Sequence, residues 1–527
     1  MMPLLQSLVY LAIASFVFVF CQLLRLKFSS RPAVWAKLDA VGPSPQECPP
    51  SFARDVALSV VRMQRFANDG YRRFSKALDR PFALPTTWVR GGTVMVLPPS
   101  KIALLARPDK TNDGEWTNVH GLIETTQLAH VMDDASVYQN LLHFEVVRRN
   151  MGPRDMSRLA PVTADEIEDS FLRIWGIETQ WRALNGWEAC GRIISRASQR
   201  ILIGLPLSRD EAMLETSRVY ANSLLVGGAI MNCFPPSMRW LVAPLIAARA
   251  RYLQARYVRM LLPLVQERIR QWEEGKGTDG GPDDFLQWML PTCANEPGQL
   301  DANRIALRLA SLLTPLIFAT CYVFAHCVLD IHGSPSRAEI LAGLEEECRR
   351  VRDQHGGLAT RESVDALKRV DSVLRESMRV SDVMVTNIFR DVTAGEVDLG
   401  NGLRVGPGVR MVFPTQDIHL DPDNYQDPGR FDAFRFSRPF EDSNGSSGRQ
   451  EGEQQLVTTA TPTFMPFGYG RHVCPGRWFV AQAMKQALAH LVLNYDVELV
   501  GPRIKRKALL NMMVPPVDAK IRIRRKM

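Results

Sequence analysis

The stretch Phe464-Met465-Pro466-Phe467-Gly468-Tyr469-Gly470-Arg471-His472-Val473-Cys474-Pro475-Gly476-Arg477 decides how this 527-residue chain is read. Gly468 and Gly470 permit a tight loop that can approach another backbone closely. Pro475 suits the first turn of a helix, where its missing N–H costs nothing. Over Trp478–Tyr495, Val480, Met484, Ala487, Leu488 and Leu491 recur at helical spacing. The loop therefore presents Cys474 at the start of a buried helix, where unpaired N–H groups and the helix dipole favour a thiolate. A single metal-ligating sulfur on a glycine loop is what an axial thiolate to haem iron requires. Taken alone, Cys474 also fits a buried turn cysteine, since free Cys usually behaves as a small buried hydrophobe.

Upstream lies Leu374-Arg375-Glu376-Ser377-Met378-Arg379. Glu376 and Arg379 are three residues apart and share a helix face. On spacing alone, such a pair is also an ordinary solvated surface contact. Between the two segments runs Phe431-Asp432-Ala433-Phe434-Arg435-Phe436.

The loop closely resembles the cysteine-ligand loop of the cytochrome P-450 family, Phe-x-x-Gly-x-(Arg/His)-x-Cys-x-Gly. Phe467, Gly470, His472, Cys474 and Gly476 fill its slots. The family also carries a Glu-x-x-Arg pair upstream, joined by an arginine from a later loop. Glu376, Arg379 and Arg435 match these in order. The resemblance implies the mainly α fold with small β-sheets of that family, with haem b as cofactor. It implies Cys474 as the axial iron ligand, Phe467 near the ligand loop and His472 facing a propionate. Glu376, Arg379 and Arg435 would be a structural network locking the loop. Arg390 matches an arginine that often contacts a propionate, and Arg148 is a weaker candidate for the same task.

Gly204-Leu205-Pro206-Leu207 and Phe234-Pro235-Pro236 are similar to the fungal, membrane-anchored branch used in secondary metabolism. The implied activity is a haem-thiolate monooxygenase acting on a hydrophobic small molecule, a terpenoid or meroterpenoid first. Its electrons would come from an NADPH-dependent reductase, with cytochrome b5 as a second possible donor. Polyketide and alkaloid oxidation, rearrangement, cyclisation, desaturation and dehydration stay open as alternatives.

One departure bears on mechanism. The family's distal helix usually carries an acid-alcohol pair, or His-Thr-Thr in fungal relatives, and the threonine helps deliver protons during oxygen activation. Counting back from Asp330, the matching stretch is Pro315-Leu316-Ile317-Phe318-Ala319-Thr320. Phe318 stands in place of the acid or histidine, and Ala319 in place of the usual threonine. Thr320 alone keeps a hydroxyl and is the candidate catalytic residue; the other reading is a helix hydroxyl bonded to its own backbone.

The ends and the averages complete the picture. No charged residue occurs from Leu4 to Leu24, 21 residues against the ~20 that a membrane span needs. Arg25, Lys27, Arg31 and Lys37 follow, so the positive-inside bias leaves the bulk of the chain cytosolic. The resulting division is a transmembrane signal anchor over residues 1–24, a basic, Pro-containing linker over 25–50, and a haem-thiolate domain over 51–527. A single-pass endoplasmic reticulum protein is implied; a cleaved secretory signal is the competing reading. Lys+Arg 64 against Asp+Glu 56 gives a net charge of +8. The basic residues are scattered and do not form the stripe of a nucleic-acid binder. The nine cysteines form no CxxC pair, against a zinc ribbon or a disulfide framework.

Coarse patterning gives helices at Ser51–Leu78, Ala164–Trp175, Glu178–Ile203, Ala243–Trp272 and Asn303–Asp330. The last reads as an apolar core helix interrupted by Pro315, with a second membrane span as the alternative. A strand is expected at Thr93–Leu97, a hairpin over Leu403–Pro414, and strands at Asp496–Val500 and Ala519–Arg524. Tyr220–Ala247 reads either as a pocket roof dipping toward a membrane or as a core helix pair.

Overall fold

The computed structural model describes residues 33–42, 48–111, 114–234, 236–275, 281–441, 454–501 and 506–527. The anchor at Leu4–Leu24, the basic residues Arg25, Lys27 and Arg31, and the proline run Pro43–Pro45 lie outside them. A helical body occupies most of the molecule, with small sheets beside it. Its main hydrophobic cluster runs from Met63 to Ile523, so helices from both ends of the sequence share one core. A second cluster, including Met95, Leu105, Met411 and Met465, lies under the larger sheet.

The apolar stretch of the distal helix explains how that core is threaded. Ala302–Leu313 is α-helical, Thr314–Ala319 widens into a π-turn, and Thr320–His332 resumes the α-helix. Pro315 lacks an N–H and its ring crowds the carbonyl four residues earlier, which a normal turn cannot absorb. A wider turn can, and such π-bulges recur at functional sites. This continuous helix of 31 residues is long and apolar enough to cross a membrane, yet 72% of its most apolar window is buried within the protein. It is packed by its own neighbours as a core helix.

Several expected boundaries move. The first long helix is Pro49–Gly70, continued by a π-turn at Tyr71–Lys76. Glu178–Ile203 is not one helix: Arg182–Asn185 is a strand paired with Lys520–Ile523, and the helix starts at Gly186. Asn185 caps it by accepting from the Glu188 N–H at 2.9 Å, a local signal that distant pairing decided. Ala243–Trp272 divides into Pro236–Ile246 and Ala248–Glu273. Leu403–Pro414 is not a self-paired hairpin. Arg404–Val405 pairs with Val397–Asp398, while Arg410–Phe413 enters the six-stranded sheet beside Thr93–Val96 and Asn387–Gly395. Tyr495–Val500 and Lys520–Arg525 pair antiparallel over six residues.

Candidate functional site

The glycine loop is held by its own backbone. The Cys474 N–H donates to Phe467 O at 2.8 Å, closing the loop. Gly468 and Gly470 have φ of +79° and +72°, the left-handed region that other residues rarely enter. At Gly470 a Cβ would lie 2.3 Å from the carbonyl oxygen of Leu105, so only glycine fits. The helix behind the loop is Arg477–Asn494, with Gly476 at its N-cap. It starts two residues after Pro475, so that proline ends the loop and does not occupy the first helical turn. Arg477 Nη1 donates to the carbonyl of Cys474 at 2.9 Å. Burial pushes the Cys474 thiol up, opposed by the Gly476 and Arg477 N–H groups and the Arg477 charge. The thiolate-stabilising features are therefore in place, but burial outweighs them in the protein alone; a ligated cation would reverse that balance.

A chain of buried polar contacts braces the loop from behind. Glu376 and Arg379 are both fully buried, and their two parallel hydrogen bonds are each 2.8 Å. Arg435 Nε reaches the same carboxylate at 3.2 and 3.1 Å, and the Asp432 N–H donates to it at 3.0 Å. The structure thus brings together Glu376, Arg379 and Arg435: the first two form a buried ion pair and not a solvated surface pair, and the partly exposed Arg435 joins it. Arg379 Nη1 extends it to the carbonyls of His419 and Pro428 at 2.7 and 2.8 Å. His419 Nε2 in turn accepts the Met465 N–H at 2.9 Å, two residues before Phe467.

His419, and a further bracing residue, Arg375, escaped the sequence reading. His419 is fully buried with Asp382 3.0 Å from its Nδ1. Arg375, beside Glu376, donates to the carbonyls of Leu456 and Thr459 at 2.6 and 2.8 Å. Its guanidinium lies 3.7 Å from the centre of the Phe464 ring, a cation–π contact in a buried setting. Neither His419 nor Arg375 has a spacing signal, because their partners are distant in sequence.

Arg390 sits on the strand Asn387–Gly395, just after a break in register with Arg410–Phe413. Ile388, inside the break, has φ of +61°, a strained value for a β-branched residue that bulges at functional sites tolerate. Arg390 is 3% exposed, and its Nη1 donates to the Phe389 carbonyl at 2.8 Å. Among the described residues its Nε and Nη2, both buried, find no acceptor. Burial lowers its pKa to about 10, partly offset by Asp109. A guanidinium so desolvated is costly unless an anion reaches it. His472 Nε2 and Asp109 Oδ1 are 2.6 Å apart, so that histidine nitrogen engages a carboxylate of the protein. Arg148 is exposed on the helix Leu142–Asn150.

On the distal helix, Phe318 belongs to the π-turn and packs edge-to-face on Trp187, ring centres 5.7 Å apart. Thr320 is buried at the point where the α-helix resumes. Phe318 also lines a cavity of about 240 Å³, whose other walls include Trp88, Leu225, Val226, Met384 and Met513. Among the described residues, no cluster of three or more His, Cys, Asp or Glu side chains could hold a separate metal ion.

Comparison with known proteins fixes the family. The cytochrome P-450 family profile matches residues 200–523. The cytochrome P-450 monooxygenase gloP of Glarea lozoyensis is 33% identical over 97% of this chain and 95% of its own length. The chain belongs to the cytochrome P-450 family. A second fungal relative, the cytochrome P-450 monooxygenase htyF of Aspergillus rugulosus, is 34% identical over 85% of this chain and 66% of its own. The cytochrome P-450 monooxygenase okaG of Penicillium ochrochloron is 27% identical over 90% and 92%. The protein is thus a cytochrome P-450 monooxygenase by family, and that membership implies a haem-thiolate centre.

Proposed function

We propose that this cytochrome P-450 is a membrane-anchored monooxygenase that oxidises an apolar secondary metabolite of terpenoid or meroterpenoid type in a fungal pathway. The observation that carries the haem site is the pairing of the braced Cys474 loop with Arg390, whose two orphaned nitrogens suit a carboxylate. Cys474 would hold the haem iron through its thiolate sulfur, with Phe467, Gly470 and Gly476 shaping the loop. Arg390 would meet one propionate, and His472 lies beside the same region through Asp109. Haem b, when bound, supplies activation of dioxygen and insertion of one oxygen atom into the substrate.

The chain's own residues set the conditions for that chemistry. Phe318 and Ala319 carry no transferable proton, so Thr320 Oγ1 is the candidate to hold one on the distal helix, with water or a substrate hydroxyl completing the relay. The absence of a proton donor at positions 318 and 319 also favours a second reading, a rearrangement, cyclisation or dehydration that needs no external reductant. The apolar cavity beside Phe318 supports a hydrophobic substrate. Trp240, Leu241 and Leu245 on the helix Pro236–Ile246 are 70%, 62% and 85% exposed. With the uncharged Leu4–Leu24 segment, this apolar face supports a seat on the endoplasmic reticulum membrane with the catalytic part in the cytosol.

The deciding experiment is a reduced carbon-monoxide difference spectrum of the full-length protein. A thiolate-type band that is lost in Cys474→Ala and kept in Cys321→Ala supports the reading; its survival in Cys474→Ala overturns it. Turnover of a terpenoid and polyketide panel, with and without NADPH and reductase, separates oxygen insertion from the redox-neutral alternative and tests the substrate class.

A further inference from the structure

Between Glu215 and Glu267 the chain carries no Asp or Glu, although 56 of its 527 residues are acidic. The same stretch holds six arginines: Arg218, Arg239, Arg249, Arg251, Arg256 and Arg259. One segment thus carries six positive charges in a chain whose net charge is +8. It runs from the helix Glu211–Asn232 through Pro236–Ile246 into Ala248–Glu273. Three of the six arginines are paired or hidden. Arg218 meets Glu215 at 2.7 Å, Arg251 meets Asp133 at 2.8 Å, and Arg239 is buried. Arg249, Arg256 and Arg259 are exposed. Among the described residues they have no carboxylate partner; Arg259 Nε donates to the Ala255 carbonyl of its own helix at 3.3 Å.

Helical spacing collects these charges. Arg249, Tyr252, Arg256 and Arg259 follow at steps of three, four and three, so they share one face. Ala250, Leu253, Tyr257 and Leu261 bury the opposite face. The basic face begins one turn after the exposed Leu245, and Ala247 alone separates the two helices. Backbone bonding continues through that junction, from Ala247 N–H to Ala243 O at 2.8 Å and from Arg251 N–H to Ala247 O at 2.9 Å. Gly227 lies against the end of the shorter helix, since a Cβ there would be 3.7 Å from the Ile246 carbonyl. Its neighbours Val226 and Ile230 are exposed, as are Trp240, Leu241 and Leu245. An exposed apolar patch is therefore continued by an arginine face, with the exposed Tyr252 at the border.

That order of side chains matches the depth profile of a bilayer. Apolar groups of an interfacial helix reach about 5–10 Å below the headgroups, and Lys or Arg on its polar side meets anionic lipid. Trp and Tyr favour the boundary between the two zones. An acidic protein surface would satisfy the arginines but leave the apolar patch in water. We infer that this surface binds anionic phospholipid headgroups, phosphatidylserine or phosphatidylinositol, through Arg249, Arg256 and Arg259, with Trp240, Leu241 and Leu245 inserted beside them. The lipid class under the catalytic part is then selected by the protein and not left to the bulk composition. This deepens the membrane-seat reading above and rests on it.

The test places full-length, haem-loaded protein in phosphatidylcholine nanodiscs containing about 20% phosphatidylserine, an anionic surface of known charge. Two sets of discs have the same composition. In one the phosphatidylserine carries brominated acyl chains, and in the other an equal amount of phosphatidylcholine carries them. Bromine quenches tryptophan on contact, and the difference between native protein and Trp240→Phe isolates Trp240 from the other tryptophans. A basic residue favours anionic lipid beside it by about fivefold. At this composition the brominated phosphatidylserine should therefore quench Trp240 about two- to threefold more strongly than the brominated phosphatidylcholine. The triple variant Arg249→Gln, Arg256→Gln and Arg259→Gln should bring that ratio to one and keep the quenching by phosphatidylcholine. Its carbon-monoxide spectrum should match that of the native protein, because none of the three touches the cysteine loop. In native protein, about 0.5 M salt, with a screening length of about 4 Å, should also lower the ratio, so the outcome does not depend on one variant folding. Equal quenching by both lipids overturns the selectivity alone and leaves the arginines to an acidic protein surface. No quenching of Trp240 by either lipid overturns both the selectivity and the membrane seat of this helix. A ratio that survives in the triple variant overturns the assignment to these arginines.

Discussion

Replacing Glu376 by Gln should be the most damaging conservative change in this protein that lies away from the cysteine loop itself. The carboxylate is fully buried and accepts from Nε and Nη2 of Arg379, Nε of Arg435 and the Asp432 N–H. Gln keeps the shape and one acceptor but removes the charge. Arg379, also fully buried, then loses its counter-charge and keeps one amide oxygen and the carbonyls of His419, Pro428 and Arg430. Breaking a buried pair by removing one partner costs about 3–5 kcal/mol. A chain of this length unfolds with an entropy of about 1 kcal/mol per kelvin, so the midpoint should fall by about 3–5 °C. Arg435→Gln is the informative contrast. Arg435 is partly exposed, and its loss leaves the Glu376–Arg379 pair neutral and doubly bonded. That change should cost only about 1–2 kcal/mol. Arg218→Gln, which removes an exposed pair with Glu215 at 2.7 Å, should fall within about 0.5 kcal/mol of native. Thermal unfolding followed by near-UV circular dichroism and by the haem absorption band measures all three. A Glu376→Gln midpoint within about 1 °C of native, or an Arg435→Gln loss equal to it, would refute the claim that Arg379 depends on that carboxylate.

Further outcomes follow from single residues. Arg390→Met should raise the stability of the haem-free protein by about 1–3 kcal/mol, because two orphaned donors disappear, while haem should leave the loaded variant faster. Urea unfolding and haem transfer to an apo-globin acceptor read the two signs, and a stability loss in both states would contradict the reading. Thr320→Ala should lower product formed per NADPH consumed; unchanged coupling removes Thr320 from proton delivery. Burial raises Asp417 to about 7 from an ordinary carboxyl value. The folded protein therefore holds a proton that the unfolded chain releases, so this group's stabilising contribution is complete below about pH 4 and is lost as pH rises toward 7. Asp417→Asn should flatten that part of the stability profile in urea titrations at pH 4 to 7, whereas an unchanged difference from native across the range would show that Asp417 ionises normally. The buried histidines act in the opposite sense. Burial lowers His326, His332 and His490 to about 4, so their contribution is present above about pH 6.5 and lost as pH falls through 4.

The family and the glycine–cysteine loop are legible in the linear chain. Glycine at positions 468 and 470, a cysteine and a helix start form one local unit, and local units are legible because their partners are neighbours in the chain. It also exposed the missing proton donor at Phe318 and Ala319. Tertiary structure decided what depends on distant partners. Spacing alone left Glu376 and Arg379 open as a surface pair; their burial against the segment from His419 to Arg435 makes them a core network. Arg182–Asn185 is a strand only because Lys520–Ile523 lies beside it, and Arg410–Phe413 leaves its expected hairpin for a place inside the sheet between Thr93–Val96 and Asn387–Gly395. His419 and Arg375 carry no pattern at all. A buried polar group acquires its meaning from which partners the fold supplies and which it withholds, and that is settled only when segments hundreds of residues apart are packed together.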